Sequence, residues 1–588
     1  MSNVGRHLRP RLIALSVAAC FGVSAQQGLA NPTGSTVVSG GASFASAGNT
    51  LTVTNTANAI INWQSFSIGV NEITRFLQSS ASSAVLNRVV GAGGVIPQSV
   101  IDGILSSNGR VFLLNSSGIV FGANARIDVA GLVASSLNLS DQDFLNGRMH
   151  FAEVPGAGSV SNAGVIQAAS GGRVFLIAPN VENSGAISAP QGQIVLAAGK
   201  SVDLVSENSP FVTVRVTADS EQALNLGSLI ADSGRIDMSG ALVRSSGTIA
   251  ANSAVLGANG EIRLVATNSV TLDAGSVTSA SGGAQGGNIQ VSAPVVVQVG
   301  NIRADGDAGG KIQIDASNFL QAGIVSASGS AGAGGAIGVN APHVIQTAAA
   351  LMAADGNGGD GGSISVDASG ALDGLLFSSA SYSATGDKGG NIKLLGHDIV
   401  LLGASADASG ANSGGTILVG GDFQGNNPAV SNAITTGINF STTLKADATQ
   451  TGDGGKIVVW SDTNTQFYGT ASARGGAQSG NGGFMEISGK ESLTMGGFAD
   501  AGAPNGTAGS LLLDPKNIII DSNTGGSGTL GSFQLVDPHP GANELFGSQV
   551  VVLPSQNVVV TDPNDSFTAI SAGAVYLFNS NTGQLIST

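Results

Sequence analysis

Gly309-Gly310-Lys311-Ile312-Gln313-Ile314 carries the pattern that decides the fold. Two glycines are followed by strict alternation of polar and apolar side chains. Successive side chains of a strand point to opposite faces, so Ile312 and Ile314 share one face while Lys311, Gln313 and Asp315 share the other. The unit returns at Gly286-Gly287-Asn288-Ile289, Gly361-Gly362-Ser363-Ile364, Gly389-Gly390-Asn391-Ile392, Gly414-Gly415-Thr416-Ile417, Gly454-Gly455-Lys456-Ile457 and Gly482-Gly483-Phe484-Met485. The intervals from Ile289 to Ile312, Ile364 to Ile392, Ile392 to Ile417 and Ile457 to Met485 are 23, 28, 25 and 28 residues. The interval from Ile417 to Ile457 is 40, and its Asn426-Asn427-Pro428 stretch reads as an inserted loop.

One such strand cannot bury its apolar face, but stacking each coil on the next does so, with rungs about 4.8 Å apart. The reading is all-β: a right-handed parallel β-helix, a solenoid whose coils hold two or three short strands. Glycine pairs are expected to supply positive φ angles at the corners. Gly172-Arg173-Val174-Phe175-Leu176, Gly192-Gln193-Ile194-Val195-Leu196 and Gly260-Glu261-Ile262-Arg263-Leu264 fit the pattern more loosely. A helical solenoid is excluded by the period of two and by the glycine load, at about 1 kcal/mol per glycine in a helix. A propeller would repeat over longer, four-stranded units.

Composition agrees. The 588 residues include 88 glycines, with 42% hydrophobic but only 10% charged and 4% aromatic residues. Disorder would bring more charge and less apolar content, and collagen would need glycine at every third position. Residues 1–30 read as a secretory signal: Arg6, Arg9 and Arg11 precede the short apolar run Leu12 to Val23, and Gly28-Leu29-Ala30 sets the cut between Ala30 and Asn31. Val23-Ser24-Ala25 is a second possible cut, and Val17-Ala18-Ala19-Cys20 gives a rival lipid-anchor reading. Cys20 is the one cysteine, so a chain cut after Ala30 has none, which suits passage through a pore unfolded. The net charge of −15 becomes more negative once three arginines leave. No Lys/Arg cluster is present to displace phosphate counterions, so nucleic acid is not an expected partner.

Residues 31 to about 205 resemble the secretion domain of two-partner secretion exoproteins, the filamentous haemagglutinin family. The resemblance rests on Ile60-Ile61-Asn62-Trp63-Gln64-Ser65-Phe66-Ser67-Ile68-Gly69, Ser82-Ser83-Ala84-Val85-Leu86-Asn87-Arg88-Val89, Asn108 to Gly122 and Gly131-Leu132-Val133-Ala134-Ser135-Ser136, in that order behind the signal. It implies a secretion and cap domain at the start of the β-helix, recognised in the periplasm by the POTRA modules of an outer-membrane β-barrel transporter. The family's asparagine-proline-asparagine-glycine-isoleucine motif falls on Asn115 to Ile119. Ser116-Ser117 replaces its Pro-Asn pair, while Asn115, Gly118 and Ile119 are kept. Asn87, Arg88, Asn115, Gly118 and Ile119 are the candidate recognition residues. A plain rung-to-rung turn at Asn115–Ile119 is the other reading, and Trp63 and Phe66 read as core.

Trp460-Ser461-Asp462, Ala473-Arg474-Gly475-Gly476-Ala477, Glu486-Ile487-Ser488-Gly489-Lys490 and Leu511-Leu512-Leu513-Asp514-Pro515 resemble the end of the stalk in haemagglutinin-like exoproteins. The tail beyond Asp521 reads as short strands at 550–553, 558–561 and 574–578. Its Phe546-Gly547 and Gly573-Ala574-Val575-Tyr576 are similar to a single FG-GAP-type propeller repeat, which reads as incomplete. The expected division is therefore a signal (1–30), a secretion domain on early rungs (31–280), glycine-rich β-helix (281–520) and a β tail (521–588).

No catalytic constellation emerges, and no cofactor is expected. The five histidines are scattered without metal-ligand spacing. Gly356 to Gly361 and Gly526 to Gly531 fit G-x-G-x-x-G formally but open no helix of a βαβ unit. Asp562, Asn564 and Asp565 could line a calcium loop, or simply an exposed turn. The expectation is a non-enzymatic, secreted or surface-exposed adhesin of a Gram-negative bacterium, acting by contact. The alternatives are a carbohydrate-active β-helix enzyme and the carrier stalk of a contact-dependent toxin.

Overall fold

The computed structural model describes residues 31–206, 210–253, 260–514, 517–520, 537–539, 549–552, 557–562, 574–579 and 584–587. The expected signal segment, including Ala30, lies outside the described residues, as do Asn564 and Asp565. One large sheet system winds from Thr36–Ser39 to Asn517–Ile520, almost wholly by parallel pairing of each coil with the next. Each coil contributes three strand stacks. One coil shows the scheme: the first part of Lys311–Gln321 pairs with Ala336–Asn340, its second part with His343–Gln346, and Ile324–Ser326 with Leu351–Ala353. The architecture is a three-faced parallel β-helix, and the same sheet runs through residue 280 without a break.

The alternation read from Ile312 is an internal row. Ile289, Ile312, Ile337, Ile364, Ile392, Ile417, Ile457 and Met485 stand in register, coil upon coil. Each is 2% exposed or less, whereas Lys311 is exposed. The upper end is closed by antiparallel strands, Thr36–Ser39 on Ala59–Trp63 and Ala42–Ala47 on Thr50–Asn55. Trp63 and Phe66 are core residues there, edge-to-face at 5.6 Å, with Phe66 stacked on Phe76.

The glycine pairs serve a different purpose from the one expected. None of Gly286, Gly287, Gly309, Gly310, Gly361, Gly362, Gly389, Gly390, Gly414, Gly415, Gly454 and Gly455 has positive φ. What they lack space for is a side chain. A Cβ on Gly335, Gly362, Gly390, Gly415, Gly455 or Gly483 would lie 2.1 Å from the carbonyl oxygen of the corresponding glycine one coil earlier. Axial stacking at the corner, not backbone handedness, selects glycine.

Two further devices tie coil to coil. Inside, buried amides form ladders: Asn162 donates to Asn183 (2.8 Å), Asn183 to Asn225 (2.9 Å) and Asn225 to Ser245 (3.2 Å). Gln298, Gln321 and Gln346 continue the same column further down, with Gln346 donating to Gln321 at 2.7 Å. At a corner outside, acids cap the next coil. The carboxylate of Asp305 accepts from Ser326 Oγ and Ser328 N at 2.6 and 2.8 Å. Asp355 does the same for Ser383 Oγ and Thr385 N. Asp305 and Asp355 are thus held by structural partners.

The long interval is the expected insertion. Residues 420–434 fold back over the outer face of several coils, where Val430 packs with Leu395, Leu418, Val458 and Trp460. The tail strands expected from sequence are present as Gln549–Val552, Val558–Asp562 and Ala574–Phe578, joined by Leu585–Ser587 in an antiparallel sheet. Asp562 is a buried strand residue.

Two substitution pairs test this packing. Ile312→Asp places a charge in the closed row and should open protease sites between residues 290 and 340, because an unpaired buried charge is far costlier than an exposed one. Lys311→Asp should leave the digest unchanged. Nearest-neighbour coupling keeps the first coils intact in both. Gly362→Ala should lower stability by about 1–3 kcal/mol through overpacking, and Ser363→Ala by less than about 0.5 kcal/mol. Equal thermal midpoints for the second pair would remove the stacking argument.

Candidate transporter-recognition surface

The early coils differ from the later ones in one respect. Val174–Ala178 and Ile194–Ala198 are apolar without a break, and every one of these residues is buried. Their inward members (Val174, Leu176, Ile194, Leu196) belong to the rod's interior. Phe175, Ile177, Val195 and Ala197 point outward, with Ile60, Leu86, Phe112 and Val133 from coils above, into a second core. A strand apolar on both faces must be covered on both. Here the cover is a four-stranded antiparallel sheet of Asn138–Leu139, Met149–Ala152, Ser201–Ser206 and Val212–Thr217, with the short helix Asp141–Leu145. Phe151, Val202, Leu204 and Phe144 supply its apolar side, Phe144 meeting Phe112 edge-to-face at 5.1 Å. Sequence reading missed this sheet, although the unbroken apolar runs were its signal.

Arg88 clasps the cover to the rod. Its guanidinium meets Asp141 Oδ1 at 2.7 Å and donates to the Leu139 carbonyl at 2.8 Å. At the other edge the Gln193 amide substitutes for a strand, accepting from Val212 N and donating to Val212 O, both at 2.8 Å. Gln193 also donates to Asp237, which pairs with Arg235 at 2.8 Å, both side chains nearly inaccessible. Burial pushes the Asp237 carboxyl above its ordinary range, opposed by the adjacent Arg235 charge.

The other candidate residues sit deeper. Asn87 is fully buried inside the rod, accepting from Trp63 Nε1 at 3.0 Å and donating to the Phe112 carbonyl at 3.2 Å. Asn115 is 1% exposed. Its amide donates to Pro97 O and Ser99 Oγ, and its Oδ1 accepts from Ser117 N at 3.0 Å. Gly118 has φ +98°, and a Cβ there would lie 2.8 Å from Ser159 O, so this glycine is fixed by both backbone and space. Ile119 is a fully buried strand residue. Asn115 to Ile119 is thus a side-chain-pinned turn entering a strand. In the folded domain only Ser116 and Ser117 of this segment are partly accessible. The structure does not gather the five candidates into one surface. Asn31, just beyond the expected cut, is already bound into the body through Asn49 O and Thr74 Oγ1.

Residues 29–314, which hold the capped and externally clad coils, match the TPS secretion domain. Over this stretch the chain is similar to the secretion domain of two-partner secretion exoproteins. Two curated relatives are similar in sequence. A heme/hemopexin-binding protein of Haemophilus influenzae strain Rd is 32% identical over 218 residues, 35% of this chain and 23% of that protein. A second heme/hemopexin-binding protein of Haemophilus influenzae is 38% identical over 81 residues, 14% of this chain and 8% of that protein. The chain therefore spans less than a quarter of the length of the curated relatives it matches. The crystal structure of the HMW1 secretion domain from Haemophilus influenzae is similar at a TM-score of 0.42 and 24% identity, covering 84% of this chain and 100% of that one.

Arg88→Ala removes both the ion pair and the carbonyl contact. It should cost the exoprotein about 1–3 kcal/mol and expose residues 136–152 to protease while the rod below stays resistant. Arg88→Lys should recover part of the protection. Unaltered cleavage in Arg88→Ala would mean the cover is held by its apolar face alone.

Proposed function

We propose that this exoprotein is carried across the outer membrane of a Gram-negative bacterium by a POTRA-barrel transporter and acts outside the cell by surface contact. The match of residues 29–314 to the TPS secretion domain carries the reading. The buried positions of Asn87, Asn115 and Ile119 fit a transporter that reads the chain before it folds, since the folded domain withholds these side chains. A chain without cysteine after the expected cut is free of covalent loops in that unfolded state. An adhesin-like rod suits the long polar exterior of stacked coils. A non-catalytic role is in keeping with acids such as Asp305 and Asp355 engaged as corner caps.

Residues 1–314 expressed with the cognate transporter should be found in the medium, and the same fragment without it should stay in the periplasm. Retention with the transporter present would defeat the reading. Asn115→Ala should lower export several-fold if that turn is part of what is read. Normal export of a correctly folded Asn115→Ala protein would leave the residue with its turn-forming role alone.

A further inference from the structure

The insertion at 420–434 holds more than the outer core it covers. Its first half carries Gln424 at φ +54°, a left-handed conformation that costs a non-glycine residue on the order of 1 kcal/mol. The Gln424 N–H is fixed in place by the fully buried carboxylate of Glu486, at 3.0 Å. Next to it Gly425 lies so close over Trp460 that a Cβ would stand 2.7 Å from the indole. The second half returns through Asn432, whose amide nitrogen donates to Gly425 O at 3.0 Å and Asp462 Oδ1 at 3.1 Å. The Trp460 Nε1–H donates to the same oxygen at 3.0 Å.

Between this loop and the coil ends beneath it lies a cavity of about 490 Å³. That is within the ~300–1,000 Å³ typical of small-molecule sites. Its walls bring together two carboxylates, Asp462 and Asp514, three carboxamides, Gln424, Asn426 and Asn432, and one ammonium, Lys490; the Gln424 amide donates to Asp514 at 3.4 Å. The Asn432 side-chain oxygen is shielded from solvent and has no hydrogen-bond partner.

We propose that this cavity is a binding site for a neutral pyranose sugar, independent of the export reading. The lining offers acceptors and donors together, which a molecule with several hydroxyl groups satisfies at once. Each carboxylate can accept from neighbouring hydroxyls, while Asn426 and Lys490 donate to hydroxyl or ring oxygens. An anionic ligand would face two carboxylates against one ammonium, with Glu486 behind them. A polyamine would leave the amide and ammonium donors unmatched. Among the described residues no group of three or more His, Cys, Asp or Glu is placed to hold a metal ion.

The test uses the full secreted chain with glucose, galactose and N-acetylglucosamine as probes at millimolar concentration. Trp460 is one of two tryptophans, so a Trp63→Phe background isolates its fluorescence, and saturation-transfer NMR on the unmodified protein covers failure of that variant to fold. At least one sugar should give a saturable signal, weakened about tenfold or more in Asp462→Asn and in Asp514→Ala. Asp398→Asn, on an earlier coil, should bind as the unmodified protein does. No response to any of the sugars, equal binding by the Asp462 and Asp514 variants, or a response to spermidine but to no sugar would overturn the assignment.

Discussion

The separation between coils governs everything else in this molecule. At the glycine-lined corner each coil approaches the preceding one so closely that a Cβ on Gly335, Gly362 or Gly390 would lie 2.1 Å from a carbonyl oxygen. No rearrangement of a side chain relieves such a contact, because the obstacle is backbone. The flat corner lets the strands on either side keep hydrogen-bonding distance, and that distance holds the isoleucine row in van der Waals contact. A rod of this kind gains stability coil by coil, so the corner constraint acts locally but recurs along its length.

The repeat leaves the rod's outer faces to be managed separately. Over most of its length they are polar, and the coil needs nothing more. Among the described residues they are apolar and covered in two places. Near the upper end an antiparallel sheet and a short helix lie over Phe112, Phe175 and Val195. Lower down, the inserted loop lies over Leu418, Val458 and Trp460. Both covers are excursions from the winding path, and both bring polar groups into buried positions: Asp237 with Arg235 under the first, Glu486 under the second. A buried ion pair is weak evidence for stability, but removing one partner is costly. These groups therefore specify where each cover sits more than they strengthen it.

The sequence made the winding legible because Ile312, Ile364 and Ile417 repeat a period-two pattern behind a fixed glycine pair. It also marked the insertion, through one interval that was too long. The reason for the glycines was misread: both a left-handed corner and a close axial contact demand glycine, and only coordinates separate them. The covering sheet stayed hidden since its strands are short, partly polar and broken by the helix at Asp141–Leu145. Its trace lay instead in the strands it covers, as apolar runs with no outward polar residue. Asn87 and Asn115 stood out through the family resemblance, but nothing in the chain says that Trp63 and Pro97 are their partners.

The amide column inside the rod bears on fidelity of assembly. Successive coils of similar length and similar isoleucine content could in principle pair one turn out of step, since hydrophobic contact scarcely distinguishes one isoleucine from another. Such a slip at the end of a run would set Asn225 beside Leu272 or Gln346 beside Leu401, and deprive the amide of its polar neighbour. A polar residue at one internal position is known to fix alignment in repetitive helical assemblies at some expense in stability. Asn162, Asn183 and Asn225, followed by Gln298, Gln321 and Gln346, give this rod an internal address: the end of each run marks where a slipped coil would lose its polar match.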